Sequence, residues 1–304
     1  MGFGISGSSR ITYHVSRITY HVITMDIEPL RFSYESSLIG VLTVQLAPVM
    51  SQMDSARAKN LLNAGRKELL GNAVRITADL LPEIHDIYHS CLDTLGGGLS
   101  GDLFVRQSKE YNAGVFAQGK KFDVLIHSAL LNDFTPDGLR FVFGHELGHV
   151  VFEHSRFPVR DILSNSGGVS ADTADLLFRW SRATEVSADR VGLLCCGKLT
   201  SAAKALFQTS SGLSGIDSDR ILRSFRRQYE ELEAQIRSVK DTRSWICSHP
   251  MIPIRFKALE LAALDILALR QQSGGFSRKG FQHVDQQIAA ILEALDVNGI
   301  PWAC

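Results

Sequence analysis

Residues 135–151 read TPDGLRFVFGHELGHVV, and the interpretation of the whole chain turns on this stretch. Thr135 is a good helix N-cap, Pro136 suits the first helical position, and Asp137 favours the positive end of the helix dipole. Leu139, Val142, Phe143, Leu147, Val150 and Val151 then continue an apolar helical repeat. On a helix, residues four apart lie one above the other, so His145 and His149 project from one face and can share a metal ion. Glu146 sits beside that face, placed to act as general base for a metal-bound water. Ordinary residue usage yields such an HExxH match by chance in roughly one chain of this length in a hundred.

Two histidines leave a hydrolytic zinc site short of its third protein ligand. A histidine six residues after His149 would serve, but Ser155 stands there. His154 is five residues on, about 140° around a continued helix, and is expected to point elsewhere as a core or surface residue. The better candidate is Glu185 in Thr184-Glu185-Val186-Ser187-Ala188-Asp189. Glu185 and Asp189 are again four apart. Glu185 can bind the metal while Asp189 accepts the spare N–H of a ligand histidine and sets its tautomer.

Working outward, a second long helix is expected over about 171–196, and 200–304 reads as mostly helical with a break near 239–253. Upstream, 54–95 carries helical periodicity, stopped by Gly96-Gly97-Gly98. Three strand-like runs follow at 103–107, 111–117 and 122–126, spaced as a small antiparallel meander, and 26–50 reads as one or two strands. Helices, a few strands and more helices make an α+β fold, its small sheet mixed or antiparallel. The first 24 residues repeat SRITYHV in tandem and lack Asp and Glu. They read as a disordered or non-native tail ahead of a single domain over 25–304, with its core at about 54–260 and C-terminal helices over 261–304.

Thirty-two basic and 32 acidic residues cancel across the 304, so no global field draws the chain to nucleic acid or anionic lipid. Five scattered cysteines make no disulfide framework. The longest apolar run, 38–50, is too short for a spanning helix, and no export signal is evident at the start. These features lead to the expectation of a cytoplasmic protein.

Together the two motifs resemble the gluzincin metallopeptidases, specifically the family of HtpX and the CAAX prenyl endopeptidases, metallopeptidase family forty-eight. Further elements match in order. Tyr111-Asn112-Ala113 resembles the family's edge-strand segment, Leu130-Leu131 and 136–139 fit the lead-in, and Ser248-His249-Pro250 with Arg255 resembles its downstream His-Pro element and arginine. The resemblance covers roughly 60–260. It implies a zincin-like fold and a zinc-dependent endopeptidase holding one Zn2+ per chain on His145, His149 and Glu185, with Glu146 as base. It makes His249 an oxyanion donor, Asp189 and Arg255 supports behind the ligands, and Asn112 and Ala113 an edge that pairs with an extended peptide. Peptides or unfolded proteins are the implied substrates, and nothing indicates an oligomeric state. The family's transmembrane helices have no counterpart here. A zinc-stabilised, chaperone-like binding module with little turnover is the alternative, against which the intact Glu146 weighs.

Overall fold

The computed structural model describes residues 26–52, 65–118, 121–165, 169–238, 251–271 and 279–297. A short 3-10 turn at Glu28–Leu30 leads into α1 (Ser33–Gln52). Residues 65–72 form α2, followed by β1 (Val74–Ile76), α3 (Pro82–Thr94), β2 (Ser100–Arg106), β3 (Ala113–Gln118) and β4 (Lys121–His127). The rest is helical: α4 (Ser128–Asp133), α5 (Pro136–Val151), α6 (Val159–Asn165), α7 (Ala171–Cys196), α8 (Leu199–Ser211), α9 (Ser218–Ser238), α10 (Ile252–Gln271) and α11 (Lys279–Val297). Mostly helices with one small sheet, the architecture is mixed as the sequence implies.

Two local readings are corrected. Residues 33–52 are helix, not strand, because Leu38, Leu42 and Leu46 recur every four residues and all three are buried. The β-branched residues that suggested strands, Val41 and Val44, face outward at 45% and 75% exposure. The helical run assigned to 54–95 is broken by β1; its portion at 53–64, with Leu61 and Leu62, lies outside the described residues.

The sheet is not a meander either. Its strand order is β1-β2-β4-β3, with β2 and β4 parallel and both outer pairs antiparallel. β4 takes the centre because it is buried on both faces. Phe122, Val124 and Ile126 join the main core, while Leu125 packs with Phe104 under Leu69 of α2. Arg66 of α2 ties the second face down by pairing with Asp102 at 2.7 Å and with buried Asp123. β3 is left as an edge beside α5.

α5 and α7 form the heart of the helical layer. Thr135 caps α5 as expected, its Oγ1 accepting from the Gly138 N–H at 3.2 Å. The two helices approach through small residues: a Cβ on Gly144 would lie 2.9 Å from Gly192 Cα, and one on Gly148 would lie 2.8 Å from Ala188 Cα. Close backbone approach is what lets short side chains on the two helices meet. α7 is consequently buried from Arg182 to Cys196, and the apolar core around it draws on residues from Leu30 to Leu292.

Candidate metal centre

The face of α5 that carries both histidines of the HExxH motif looks toward Glu185 on α7. His145 Nε2 and His149 Nε2 are 3.2 Å apart. Glu185 completes a triangle, its Oε2 lying 3.5 Å from His145 Nε2 and its Oε1 3.4 Å from His149 Nε2. These three residues form the potential metal-ligating cluster among the described residues. Donors about 2.0–2.2 Å from a tetrahedral zinc stand roughly 3.3–3.5 Å from one another; the two nitrogens are near that spacing and each Glu185 oxygen meets it toward one of them, so the donor set suits that ion. Charge fits as well: Glu146, Glu185 and Asp189 bring three carboxyl groups against the guanidinium of Arg255.

Behind His145, the Nδ1 lies 2.9 Å from Asp189 Oδ1, the contact anticipated from the four-residue spacing of Glu185 and Asp189. Arg255, near the start of α10, grips the same carboxylate with Nε at 2.8 Å and Nη2 at 2.6 Å, and its Nη1 is 3.4 Å from Glu185. Burial alone would raise the Asp189 pKa, but the Arg255 charge and hydrogen bonds outweigh it and hold the carboxyl at about 2. A neutral His145 then carries its proton on Nδ1 and turns the Nε2 lone pair toward Glu185.

Glu146, next along α5, is half-buried. Loss of water pushes its carboxyl up to about 7, a push that His145 opposes and Glu185 reinforces. A carboxyl with that proton affinity is suited to accept and return a proton near neutral pH.

His154 is a core residue outside the ligand cluster, as expected, but a turn rather than a continued helix places it. α5 stops at Val151, Glu153 adopts a left-handed backbone (φ 54°), and His154 begins a 3-10 turn that folds back beneath the site. Its Nδ1 comes within 2.7 Å of His149 Nδ1. On its other side, His154 Nε2 is 3.3 Å from Glu35 Oε1 of α1. Glu35 is fully buried and accepts from Ser187 of α7 and, at 2.8 Å, from Arg31. Burial raises the Glu35 pKa, yet its bonds from His154 and Ser187 and the Arg31 charge prevail and keep it lowered. Glu35 was not singled out from sequence, and His154 was weighed there only as a third metal ligand. No Gly or Pro marks the end of α5, so His154 offered no signal; Glu35 did, as an acid among the buried positions Phe32, Leu38 and Leu42, legible only once α1 is read as helix.

Of the remaining candidates, Asn112 and Ala113 lie at the start of edge strand β3. Ala113 pairs with Ile126, and the Asn112 carbonyl accepts from the His127 N–H at 2.9 Å. Asn112 is exposed. His249, with Ser248 and Pro250, lies outside the described residues. No described helix is long and apolar enough to cross a membrane.

Peptidase family M48 matches residues 80–165 and 160–263, together more than half of the chain. Among curated proteins, a plastoglobule-localized chloroplastic metallopeptidase 48 from Arabidopsis thaliana is 22% identical over 282 residues, covering 86% of this chain and 80% of the relative. No solved structure matches.

Proposed function

The chain belongs to peptidase family M48, and from that premise we propose that it is a zinc-dependent endopeptidase of the gluzincin type, holding one Zn2+ on His145, His149 and Glu185. The observation that carries the reading is the convergence of two imidazole nitrogens 3.2 Å apart with the Glu185 carboxylate, whose oxygens stand 3.4 and 3.5 Å from one nitrogen each. Zinc held there would lower the pKa of a bound water to about 7 and polarise a scissile carbonyl. Glu146 takes the proton of the attacking water and delivers it to the leaving amine. Asp189, braced by Arg255, keeps the His145 lone pair on the metal side. An extended peptide adds as a further strand along the open edge of β3, with Asn112 and Ala113 at the end of that edge. His249 donates to the developing oxyanion; His249→Ala lowers turnover by roughly 10²–10³, with KM and zinc content little changed.

The substrates are peptides or unfolded proteins. For the compartment, the relative's name points to the chloroplast, and fractionation of tagged protein tests that location against the cytoplasm.

Glu146→Gln tests the assignment. Zinc per chain should stay near wild type because all three ligands remain, while cleavage of an unfolded protein falls by several orders of magnitude. Zinc lost from that variant would make Glu146 a ligand and overturn the reading, as would chelator-insensitive cleavage by wild type.

A further inference from the structure

We infer that His154 and Glu35 are positioning residues for the second ligand histidine, His149, which makes helix α1 part of the metal centre. The inference deepens the zinc reading above and rests on it. A neutral imidazole carries one proton. If His149 offers the Nε2 lone pair to the metal, its proton is on Nδ1, and the atom 2.7 Å away, His154 Nδ1, must accept it. His154 then carries its own proton on Nε2, which faces Glu35 Oε1 at 3.3 Å. The other Glu35 oxygen accepts from the Ser187 hydroxyl, whose oxygen accepts the Phe32 N–H at 2.9 Å. One arrangement of protons thus suits every contact from His149 to the backbone of residue 32, the step from His154 to Glu35 being a charge contact at 3.3 Å rather than an aligned hydrogen bond.

Two features show more than packing. Glu35 is fully buried and His154 is 7% exposed, and an apolar pair of similar size would fill that space without the cost of desolvating a carboxylate. Moreover, α7 supports both ligand histidines, from two different faces. Asp189 reaches His145 directly, whereas Ser187 reaches His149 through Glu35 and His154. Ser187 in Glu185-Val186-Ser187-Ala188-Asp189 thereby gains a role.

Two substitutions at His154 separate positioning from filling. His154→Asn can put a carbonyl oxygen near the present Nδ1 and keeps the acceptor. His154→Phe keeps a ring against Phe152 and Trp180, its present neighbours, and removes the acceptor. Metal affinity is read by competition with a chromophoric chelator, and ligand geometry by the visible spectrum of the Co2+-loaded protein, on variants whose circular dichroism matches wild type. The positioning role predicts that His154→Phe weakens metal binding about 10–100-fold and shifts the Co2+ bands, while His154→Asn stays within a few-fold. Glu35→Gln, which keeps volume but not charge, should weaken binding in the same direction. A packing role predicts the reverse order, with Phe tolerated and Asn disruptive, and that order, or unchanged affinity in both His154 variants, overturns the inference. Failure of the zinc reading is distinct: wild type itself would then show no saturable Co2+ or Zn2+ binding, or Glu185→Ala would leave it unaltered.

Discussion

Replacing Gly148 by alanine tests whether the close approach of α5 and α7 builds the site. The new Cβ would lie 2.8 Å from Ala188 Cα and 3.3 Å from its Cβ, where ordinary contact begins near 3.4 Å. Backbone cannot rotate away as a side-chain tip can, so α7 must shift by about 0.6 Å or the helices must strain. Overpacking of this kind costs about 1–3 kcal/mol. Alanine returns up to about 1 kcal/mol through helix propensity, which leaves a net loss of up to about 2 kcal/mol. Gly40 supplies the control: it is exposed on α1, and a Cβ there meets nothing within 4 Å. Gly40→Ala should therefore stabilise the fold by roughly 0.5–1 kcal/mol. The Gly148 shift also reaches the metal. Ala188 sits between Glu185 and Asp189 on the Cterminal side, and moving it outward widens separations of 3.4 and 3.5 Å in a site that tolerates about ±0.2 Å in its bonds. Urea unfolding of both variants, with chelator competition for bound metal, reads the two effects. Gly148→Ala that gains stability as Gly40→Ala does, with metal affinity unchanged, would refute the reasoning.

Asp189→Asn should weaken metal binding about 10–100-fold and leave Arg255 buried without its main counter-charge, at a cost of roughly 3–5 kcal/mol by denaturant unfolding. Because the Asp189 carboxyl sits at about 2, below its ordinary 3.8, its stabilising share is present above pH 4 and is lost as pH falls toward 2; the variant's stability should be flatter across that window. Asp285→Ala should destabilise by a similar roughly 3–5 kcal/mol, since Asp285 pairs with fully buried Arg190 and accepts the Ser33 N–H at 2.9 Å; the double variant Arg190→Met/Asp285→Leu should recover much of that loss. Cys91, Cys195 and Cys196 are buried, and burial raises the Cys196 thiol to about 11, so no more than two of the five thiols should react rapidly with a maleimide in native protein.

Spacing made much of the centre legible. A four-residue interval on a helix is a contact rule that holds wherever the helix packs, and so His145 with His149 and Glu185 with Asp189 were each readable as pairs. The positions of β2, β3 and β4 were found for the same reason, since short apolar runs between turn residues keep their period, whereas three-residue β1 is too short to show one. Strand order was not, because the choice of β4 as centre depends on which helices cover each face. Residues 33–52 misled because their β-branched residues spoke for strand while the four-residue leucine interval decided the outcome through burial against α7.

The sequence by itself determined the chemistry on offer: two imidazoles, a base beside them and two carboxylates on a later helix, all set by local periodicity. Only the tertiary structure decided how these groups are held. It brought Gly144 and Gly148 against Gly192 and Ala188, turned the chain at Glu153 so that His154 reaches His149, and set Glu35 beneath it. Those contacts join residues as far apart in sequence as Glu35 and His154, and they depend on backbone approach and on a left-handed turn with no glycine to announce it. A helical wheel describes the face of one helix and has no term for where the helix stops or what comes to lie against it.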